Sequence, residues 1–186
     1  MKSSLSNNRL NLVHPSDKRF WNRAIKMLKD PLIMRFVLQG ALSDEQAIAA
    51  LEDWEQHWEK YGFGNYFALD RQGKELLGFV KVYHSDRSDF VNIGYALDQP
   101  YWGHGLGTEL AETALKIGFL ELKEPQLVGF ARCRNHASRR ILEKVGFQKV
   151  KECLIEDRDY CLYQISQERY LQRLEISAMT YTPITH

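Results

Sequence analysis

The order of apolar and polar residues predicts short extended segments separated by amphipathic helices. Residues 9–13 alternate in polarity and predict a first strand. Apolar residues then recur at helical spacing over residues 20–28, with Ser16 as a candidate N-cap. The pair Asp30-Pro31 is expected to end this helix, because the residue before a proline disfavours helical backbone angles. The chain is therefore predicted to begin with one strand and one helix.

A second helix is indicated by the capping-box sequence of residues 43–46. In this pattern a serine hydroxyl and a glutamine side chain satisfy two of the free N–H groups at the helix start. The helix is expected to end near Gly62. Its apolar stripe is typical of a surface that faces the core rather than of an aromatic ligand cage. The stripe consists of Ala47, Leu51, Trp54 and Trp58.

Three β-prone segments follow and predict antiparallel strands joined in sequence. They cover residues 65–70, 76–83 and 90–97. The first two are joined by a hairpin loop at residues 70–73, and a polar loop at residues 84–89 is predicted before the third.

The second half of the chain alternates helices with strands. Helices are predicted at 108–122 and 135–145, and strands at 127–133, 148–155 and 160–165. This order predicts an α+β fold with a mixed sheet rather than a doubly wound βαβ repeat. Residues 1–166 are expected to form the domain, and residues 167–186 a C-terminal tail that starts as a short helix and then frays.

Composition places the chain among ordinary globular proteins. Of its 186 residues 44% are hydrophobic and 26% are charged, with a formal net charge of +1. Such a balance carries no basic field for nucleic acid or a membrane surface. No apolar run reaches the ~18 residues of a transmembrane helix, and the polar first residues lack a signal-peptide core. Cys133, Cys153 and Cys161 have no metal-type spacing and predict reduced thiols in a cytoplasmic protein without a metal site.

The strongest local signal is a glycine-rich turn between a predicted strand and a predicted helix. Residues 102–108 have the sequence Trp-Gly-His-Gly-Leu-Gly-Thr. Glycines at alternate positions let backbone amides face a ligand, and the helix start adds free N–H groups, so the turn predicts a phosphate or pyrophosphate site. A Walker loop would require a lysine directly before Thr108, and a dinucleotide fingerprint would require a glycine at position 108. Neither requirement is met, so both nucleotide-binding interpretations are weakened. A tight turn without a ligand is the alternative.

A second signal lies about thirty residues further on. Asn135 is a natural N-cap, because its side-chain oxygen can accept from the amide of Ser138. The helix that it opens ends at Gly146, which is followed by the aromatic Phe147.

Together these two segments resemble the GNAT superfamily of acetyl-CoA-dependent N-acetyltransferases, whose first signature is Gln/Arg-x-x-Gly-x-Gly/Ala. Trp102 replaces the usual Gln or Arg, a departure similar to the RimJ/RimL-type branch of ribosomal-protein N-terminal acetyltransferases. Residues 62–64, 93–95 and 142–147 also look like that branch. The resemblance covers about residues 9–165. It implies a mostly antiparallel sheet of six to seven strands flanked by helices on both faces.

The resemblance implies acetyl-CoA as co-substrate and an amine as acceptor. The pyrophosphate would lie on the amides of the glycine turn, and the pantetheine arm would pair with backbone near Ala96 and Leu97. Asn135 and Ser138 would face the arm and the thioester. The cofactor-binding residues implied in this way are Ala96, Leu97, Trp102, Gly103, His104, Gly105, Leu106, Gly107, Thr108, Asn135 and Ser138.

The implied reaction is direct attack of an uncharged amine on the thioester. An N-terminal amine is roughly one-tenth neutral at pH 7 and a lysine less than about one-thousandth, which favours a protein or peptide N-terminus over lysine. A small-molecule amine is the open alternative. Many members carry a tyrosine acid seven residues after the asparagine, where this chain has Leu142. Ser138 is the candidate replacement acid, and Glu152 is the candidate base.

The missing tyrosine leaves a second function open, a non-catalytic acyl-CoA-binding or sensor module. The residues after 167 are further expected to contact a partner subunit in a homodimer.

Overall fold

One mixed sheet organises the chain. The computed structural model describes residues 9–179, and the side chains of residues 9–176. Seven strands are hydrogen-bonded in the order β1-β2-β3-β4-β5-β7-β6. They are β1 Leu10–Val13, β2 Tyr66–Asp70, β3 Leu76–Ser85, β4 Ser88–Leu97, β5 Gln126–Arg132, β6 Gln148–Ile155 and β7 Arg158–Ser166. Every neighbouring pair is antiparallel except β4 and β5, which are parallel. The predicted α+β fold is confirmed.

Helices cover both faces of this sheet. They are α1 Trp21–Lys29, α2 Pro31–Met34, α3 Asp44–Tyr61, α4 Leu106–Lys116, α5 His136–Lys144 and α6 Gln167–Met179. On one face, here called the α3 face, α1 and α3 pack against Phe67 and Phe79. On the other, the α4 face, α4 and α5 pack against Ile93 and Leu127. Each face therefore has its own hydrophobic core.

The two predicted N-caps of the first half have different outcomes. Ser43 accepts from the amide of Gln46, whose side chain accepts from the amide of Ser43, so the capping box is confirmed. Ser16 is not a cap, because its amide and hydroxyl bond to Nδ1 of His14. Asp17 takes that position instead and caps a short 3-10 turn, Lys18–Phe20, by accepting from the amide of Arg19.

The structure contains a short helix, α2, that was not predicted. Asp30 ends α1 as predicted, but its carboxylate also accepts from the amides of Leu32 and Ile33 and so opens α2.

The polar loop predicted at residues 84–89 is wrong. Ser85 and Ser88 pair with each other, so β3 and β4 continue to a two-residue tip, because polarity alone does not end strand pairing.

The helix after the glycine turn starts earlier than predicted. It begins at Leu106 rather than Thr108, because Gly105 is the N-cap and its carbonyl accepts from the amides of Thr108 and Glu109. After α4 the chain continues as a π-helical turn, Ile117–Glu121.

The first part of the predicted tail is a helix that docks on the domain. Tyr170 of α6 is fully buried and stacks on Phe119, with ring centroids 4.9 Å apart. Arg169 donates to the carbonyl of Gly146 at 2.8 Å. Residues 180–186, where fraying was predicted, lie outside the described residues. In the range 9–179 no helix is long and apolar enough to span a bilayer.

Gly78 is required by the packing of β3 against β4. A Cβ atom there would lie 2.2 Å from the carbonyl oxygen of Ala96, a backbone atom that cannot turn away. At Gly94, in the neighbouring strand, the nearest atom would be 3.6 Å away. We expect Gly78→Ala to lower the free energy of unfolding by about 2 kcal/mol or more, in the range of overpacked cores. Urea unfolding measures this, with Gly94→Ala as the matched control. Equal stability of the two variants would contradict the prediction.

Candidate active site

The parallel strands β4 and β5 separate to form a fork. Their pairs are Val91 with Leu127, Asn92 with Val128 and Ile93 with Gly129, and no β4–β5 pair follows in the described chain. β4 continues to Leu97 along β3, and β5 continues to Arg132 along β7. Each arm of the fork is thus held from outside and has an unpaired inner edge. An extended ligand can bind such an edge as an added strand does.

The glycine turn begins where β4 ends. Gly103 and Gly105 have φ angles of +80° and +78°, which disfavour residues with a side chain. A Cβ atom at Gly103 would meet nothing within 4 Å, and one at Gly105 only a side-chain atom of Arg9 at 3.7 Å. The start of α4, whose N-cap makes no side-chain hydrogen bond, is therefore open to a ligand. Free amides at a helix start bind phosphate groups.

The third glycine of the turn, Gly107, is required for close packing between two helices. A Cβ atom at Gly107 would lie 2.9 Å from Cδ1 of Ile141, so this glycine allows α4 to approach α5. Leu106 is buried in the core of the α4 face, and Thr108 is half-buried. The indole N–H of Trp102 donates to the carbonyl of Leu97 at 2.8 Å. Trp102 therefore braces the turn against the end of β4.

Arg9 holds the turn from outside, and sequence reasoning missed it. Its guanidinium donates to the carbonyl of His104 at 3.0 Å and forms an ion pair with Glu109 at 2.6 Å. These contacts fix the position of the backbone at His104, whose side chain is exposed. No local pattern around Arg9 indicates this contact, because its partner lies 95 residues away.

The backbone of β4 that is expected to pair with the pantetheine arm already has two carbonyl groups in contact with other parts of the protein. The Ala96 carbonyl lies against Gly78 of β3, and the Leu97 carbonyl accepts from Trp102. Both residues lie on the arm of β4 beyond Ile93, where the fork is open. Their pairing with a cofactor therefore stays a prediction.

The start of α5 faces the fork on the α4 face. Asn135 is the predicted N-cap, and its Oδ1 accepts from the amide of Ser138 at 3.2 Å. The hydroxyl of Tyr95, from β4, lies 3.2 Å from Oγ of Ser138 and donates to its carbonyl at 3.1 Å. Burial raises the pKa of Tyr95 far above its usual value, so this phenol stays protonated. The contact places a tyrosine beside Ser138, although α5 carries Leu142 where many GNAT members carry their acid.

Glu152 is not brought to the fork. It lies on the edge strand β6, and β7 separates it from β5. Its carboxylate is exposed and accepts from Lys149 at 2.5 Å. This contact lowers the pKa of Glu152, which makes the carboxylate a weaker base.

Two cysteines that are distant in sequence meet near Glu152. The Sγ atoms of Cys133 and Cys161 are 2.7 Å apart, and burial together with the neighbouring thiol raises the pKa of Cys133 to about 12. Among the side chains of residues 9–176, these two thiols and the Glu152 carboxylate lie within 4.8 Å of one another and could hold a metal ion. The spacing of the cysteines did not predict this cluster, because β5 and β7 pair across 28 residues.

Comparison with known proteins finds a matching family and several relatives. Residues 9–148 match the family described as acetyltransferase (GNAT) domain. The chain is 26% identical over 141 residues to "Uncharacterized protein YkkB" of Bacillus subtilis, covering 74% of this chain and 81% of that one. It is 36% identical over 93 residues to "Probable N-acetyltransferase YjcK" of the same organism, covering 49% of this chain and 50% of the relative.

The fold has close counterparts among solved structures. A spermidine N-acetyltransferase from Vibrio cholerae, in complex with CoA and spermine, superposes with a TM-score of 0.75. The match covers 89% of this chain and 99% of that chain at 18% identity. At this identity the likeness concerns the fold, a mostly antiparallel seven-stranded sheet with helices on both faces.

The geometry of the glycine turn predicts the effect of a side chain there. We expect Gly105→Leu to weaken acetyl-CoA binding by about 100-fold or more, because the new side chain would occupy the space above the helix start. Gly62→Leu is the matched control, since Gly62 also has a positive φ of +73° and open space around it, at the end of α3. Calorimetric titration with acetyl-CoA measures both variants. Unchanged affinity in Gly105→Leu would contradict the assignment of this turn.

Proposed function

This chain belongs to the GNAT acetyltransferase family, and we propose that it transfers an acetyl group from acetyl-CoA to a primary amine by direct attack on the thioester. The observation that carries the proposal is the position of the glycine turn at the open end of the fork. Free amides at the start of α4 suit the cofactor's diphosphate. The unpaired edges of β4 and β5 suit an extended arm that ends in a thioester.

Protonation of the leaving thiolate is assigned to Ser138 together with Tyr95. When the amine attacks, the carbon–sulfur bond breaks and the thiolate requires a proton or a strong hydrogen bond. The Ser138 hydroxyl is the donor at the mouth of the fork, and the protonated phenol of Tyr95 lies 3.2 Å behind it. Tyr95 from β4 and Ser138 from the first turn of α5 would thus together act as the acid that is missing at position 142.

A protein or peptide N-terminus is the favoured acceptor, because an α-amino group is already about one-tenth neutral at pH 7. The motifs around Trp102 and the Ile-Gly-Tyr of residues 93–95 support the RimJ/RimL-type branch. A small-molecule amine is the second candidate acceptor, favoured by the likeness to a spermidine acetyltransferase. The cysteine content supports a cytoplasmic location.

The alternative function is a non-catalytic acyl-CoA-binding module. Its basis is the absence of the tyrosine from α5. The contact between Tyr95 and Ser138 weakens that argument, because it provides a proton donor one helical turn before position 142.

The Tyr95–Ser138 pair predicts a loss of turnover without a loss of cofactor binding. We expect Tyr95→Phe to lower kcat by about 10- to 100-fold, near the lower range of general acid catalysis, because Ser138 can still donate alone. Release of the CoA thiol on mixing with acetyl-CoA and a panel of amines measures kcat, and calorimetry measures the affinity for acetyl-CoA. Tyr61→Phe, on the exposed side of α3, is the control. Wild-type kcat in Tyr95→Phe would contradict the role.

Glu152 provides a separate test of the predicted base. Its ion pair with Lys149 and its position on β6 lead us to expect that Glu152→Gln changes kcat/KM by less than about threefold, since exposed ion pairs contribute little. Initial rates of the variant and the wild type across pH 6–9 measure this. The neutral fraction of the acceptor amine rises with pH in both proteins, so the wild type is the control for that effect. A kcat/KM about 100-fold below the wild-type value at low pH, with the difference disappearing as pH rises, would instead assign the base to Glu152.

A further inference from the structure

The acceptor must approach the fork from the α3 face. On the α4 face, Leu142 packs directly over Gly129, and Tyr95 reaches across to Ser138. That side of the fork is therefore occupied by α5.

A chain segment of residues 35–42 spans the fork on the α3 face. At one end, the guanidinium of Arg35 lies 5.6 Å from the ring of Trp102, which follows β4. In the middle, the carbonyl of Leu38 accepts from Arg158 of β7 at 2.6 Å. The segment therefore contacts Trp102, which follows β4, and Arg158 of β7, which lie on the two sides of the fork.

Among the described residues, three buried polar groups without hydrogen-bond partners lie on the α3 face of the sheet. Strand alternation places Asn92, Arg132 and Tyr160 on the α3 face, with exposures of only 0%, 8% and 6%. The Oδ1 atom of Asn92, the Nε atom of Arg132 and the hydroxyl of Tyr160 have no hydrogen-bond partner in the described chain. Arg132 pairs in register with Tyr160 and lies 5.2 Å from its ring centroid. Buried polar atoms normally have partners, and three that share one face of the sheet are suited to contact a polar ligand.

A second cation lies beside the β4 arm of the fork, on the neighbouring strand β3. Lys81 of β3 pairs with Gly94, the first residue of β4 beyond the last β4–β5 pair. Its stem packs over Gly94, and its ammonium lies 5.0 Å from the ring centroid of Trp54. Burial lowers the pKa of Lys81 to about 8, so it is still mostly charged at pH 7.

In the described part of the chain, neither cation has a carboxylate as counter-ion. Within residues 9–176, no carboxylate lies within 4.0 Å of Lys81 or Arg132. A half-buried lysine beside the β4 arm and a buried arginine at the end of the β5 arm therefore lack a neutralising carboxylate within that range. A ligand with a negative charge would neutralise them, whereas a polycation would add to the repulsion.

We infer that the acceptor is an amine that also carries an anionic group, a carboxylate or a phosphate, which Arg132 binds on the α3 face of the fork, with Lys81 of β3 adding positive charge on the same face. This inference rests on the proposed function and narrows it to one substrate class. Arg132 offers the planar pair of donors that suits a carboxylate or phosphate. Lys81 adds a point charge across the fork. The site thus selects against the polyamine acceptor named for the Vibrio cholerae relative.

Matched amines test the inference. The rates of acetylation of β-alanine, 2-aminoethyl phosphate, n-butylamine and spermidine are compared as kcat/KM, together with two peptides that differ only by Glu or Gln at the second residue. We expect the anionic member of a matched pair to be favoured by about 10- to 100-fold, the range of a hydrogen bond to a charged group. The two anionic small amines separate carboxylate from phosphate recognition. Faster acetylation of spermidine, or no preference within any pair, would overturn the inference.

Variants of Arg132 and Lys81 test whether these residues cause the preference for an anionic acceptor. Arg132→Gln is expected to lower the ratio of kcat/KM for the anionic to the neutral member by about tenfold or more, and Lys81→Met by a smaller factor. The ratio is measured on one protein preparation, so partial unfolding cancels. Arg71→Gln, an exposed cation in the β2–β3 hairpin, is the control. An unchanged ratio in Arg132→Gln would overturn the assignment.

A binding measurement separates this inference from the proposed function. If no amine is acetylated, the proposed function fails, and calorimetry of N-acetyl-β-alanine with the CoA-loaded protein then tests the anion site alone. Binding by the wild type that is lost in Arg132→Gln supports the site. Absence of binding by the wild type overturns it.

Discussion

The separation of β4 from β5 after Ile93 and Gly129 is the constraint on which the site depends. Unpaired backbone inside a sheet is costly, because each free N–H or C=O group must find a partner. The fork persists because each arm is fixed from outside, β4 by its register with β3 and β5 by its register with β7. The inner edges are therefore rigid and unpaired at the same time. A ligand that pairs with them would meet a surface that needs little reorganisation.

The glycine turn is held in place by three contacts, one of them local and two with distant parts of the chain. Trp102 joins it to the end of β4, Arg9 joins its backbone to Glu109, and Gly107 lets α5 support the start of α4. The backbone at Gly103 and Gly105 is left free of side chains on the open side. These contacts thus fix the backbone of the turn before a ligand binds. Substitution at Trp102 or Arg9 would act by moving the amides.

The sequence predicted what depends on local pattern and missed what depends on register. Strands and helices followed periods of 2 and 3.6 residues, and the caps at Ser43 and Asn135 followed from side-chain chemistry within three residues. The Tyr95–Ser138 contact joins residues 43 positions apart, and no local signal marks it. The same holds for Cys133 with Cys161. The short helix α2 was missed because Asp30-Pro31 both ends one helix and begins another.

The cations on the α3 face bear on how an acceptor amine loses its proton. A positive charge near an amine disfavours its ammonium form and lowers its pKa. If Arg132 and Lys81 lowered the pKa of an α-amino group from about 8 to about 7, its neutral fraction at pH 7 would rise from roughly one-tenth to about one-half. Two cations carry one more charge than a bound carboxylate neutralises, and this remaining charge would favour the uncharged nucleophile, so that a carboxylate base at the fork would be less needed. This accounts for a site in which Glu152 lies two strands from β5. It also implies that an acceptor without an anion would meet the repulsion of these cations without compensation.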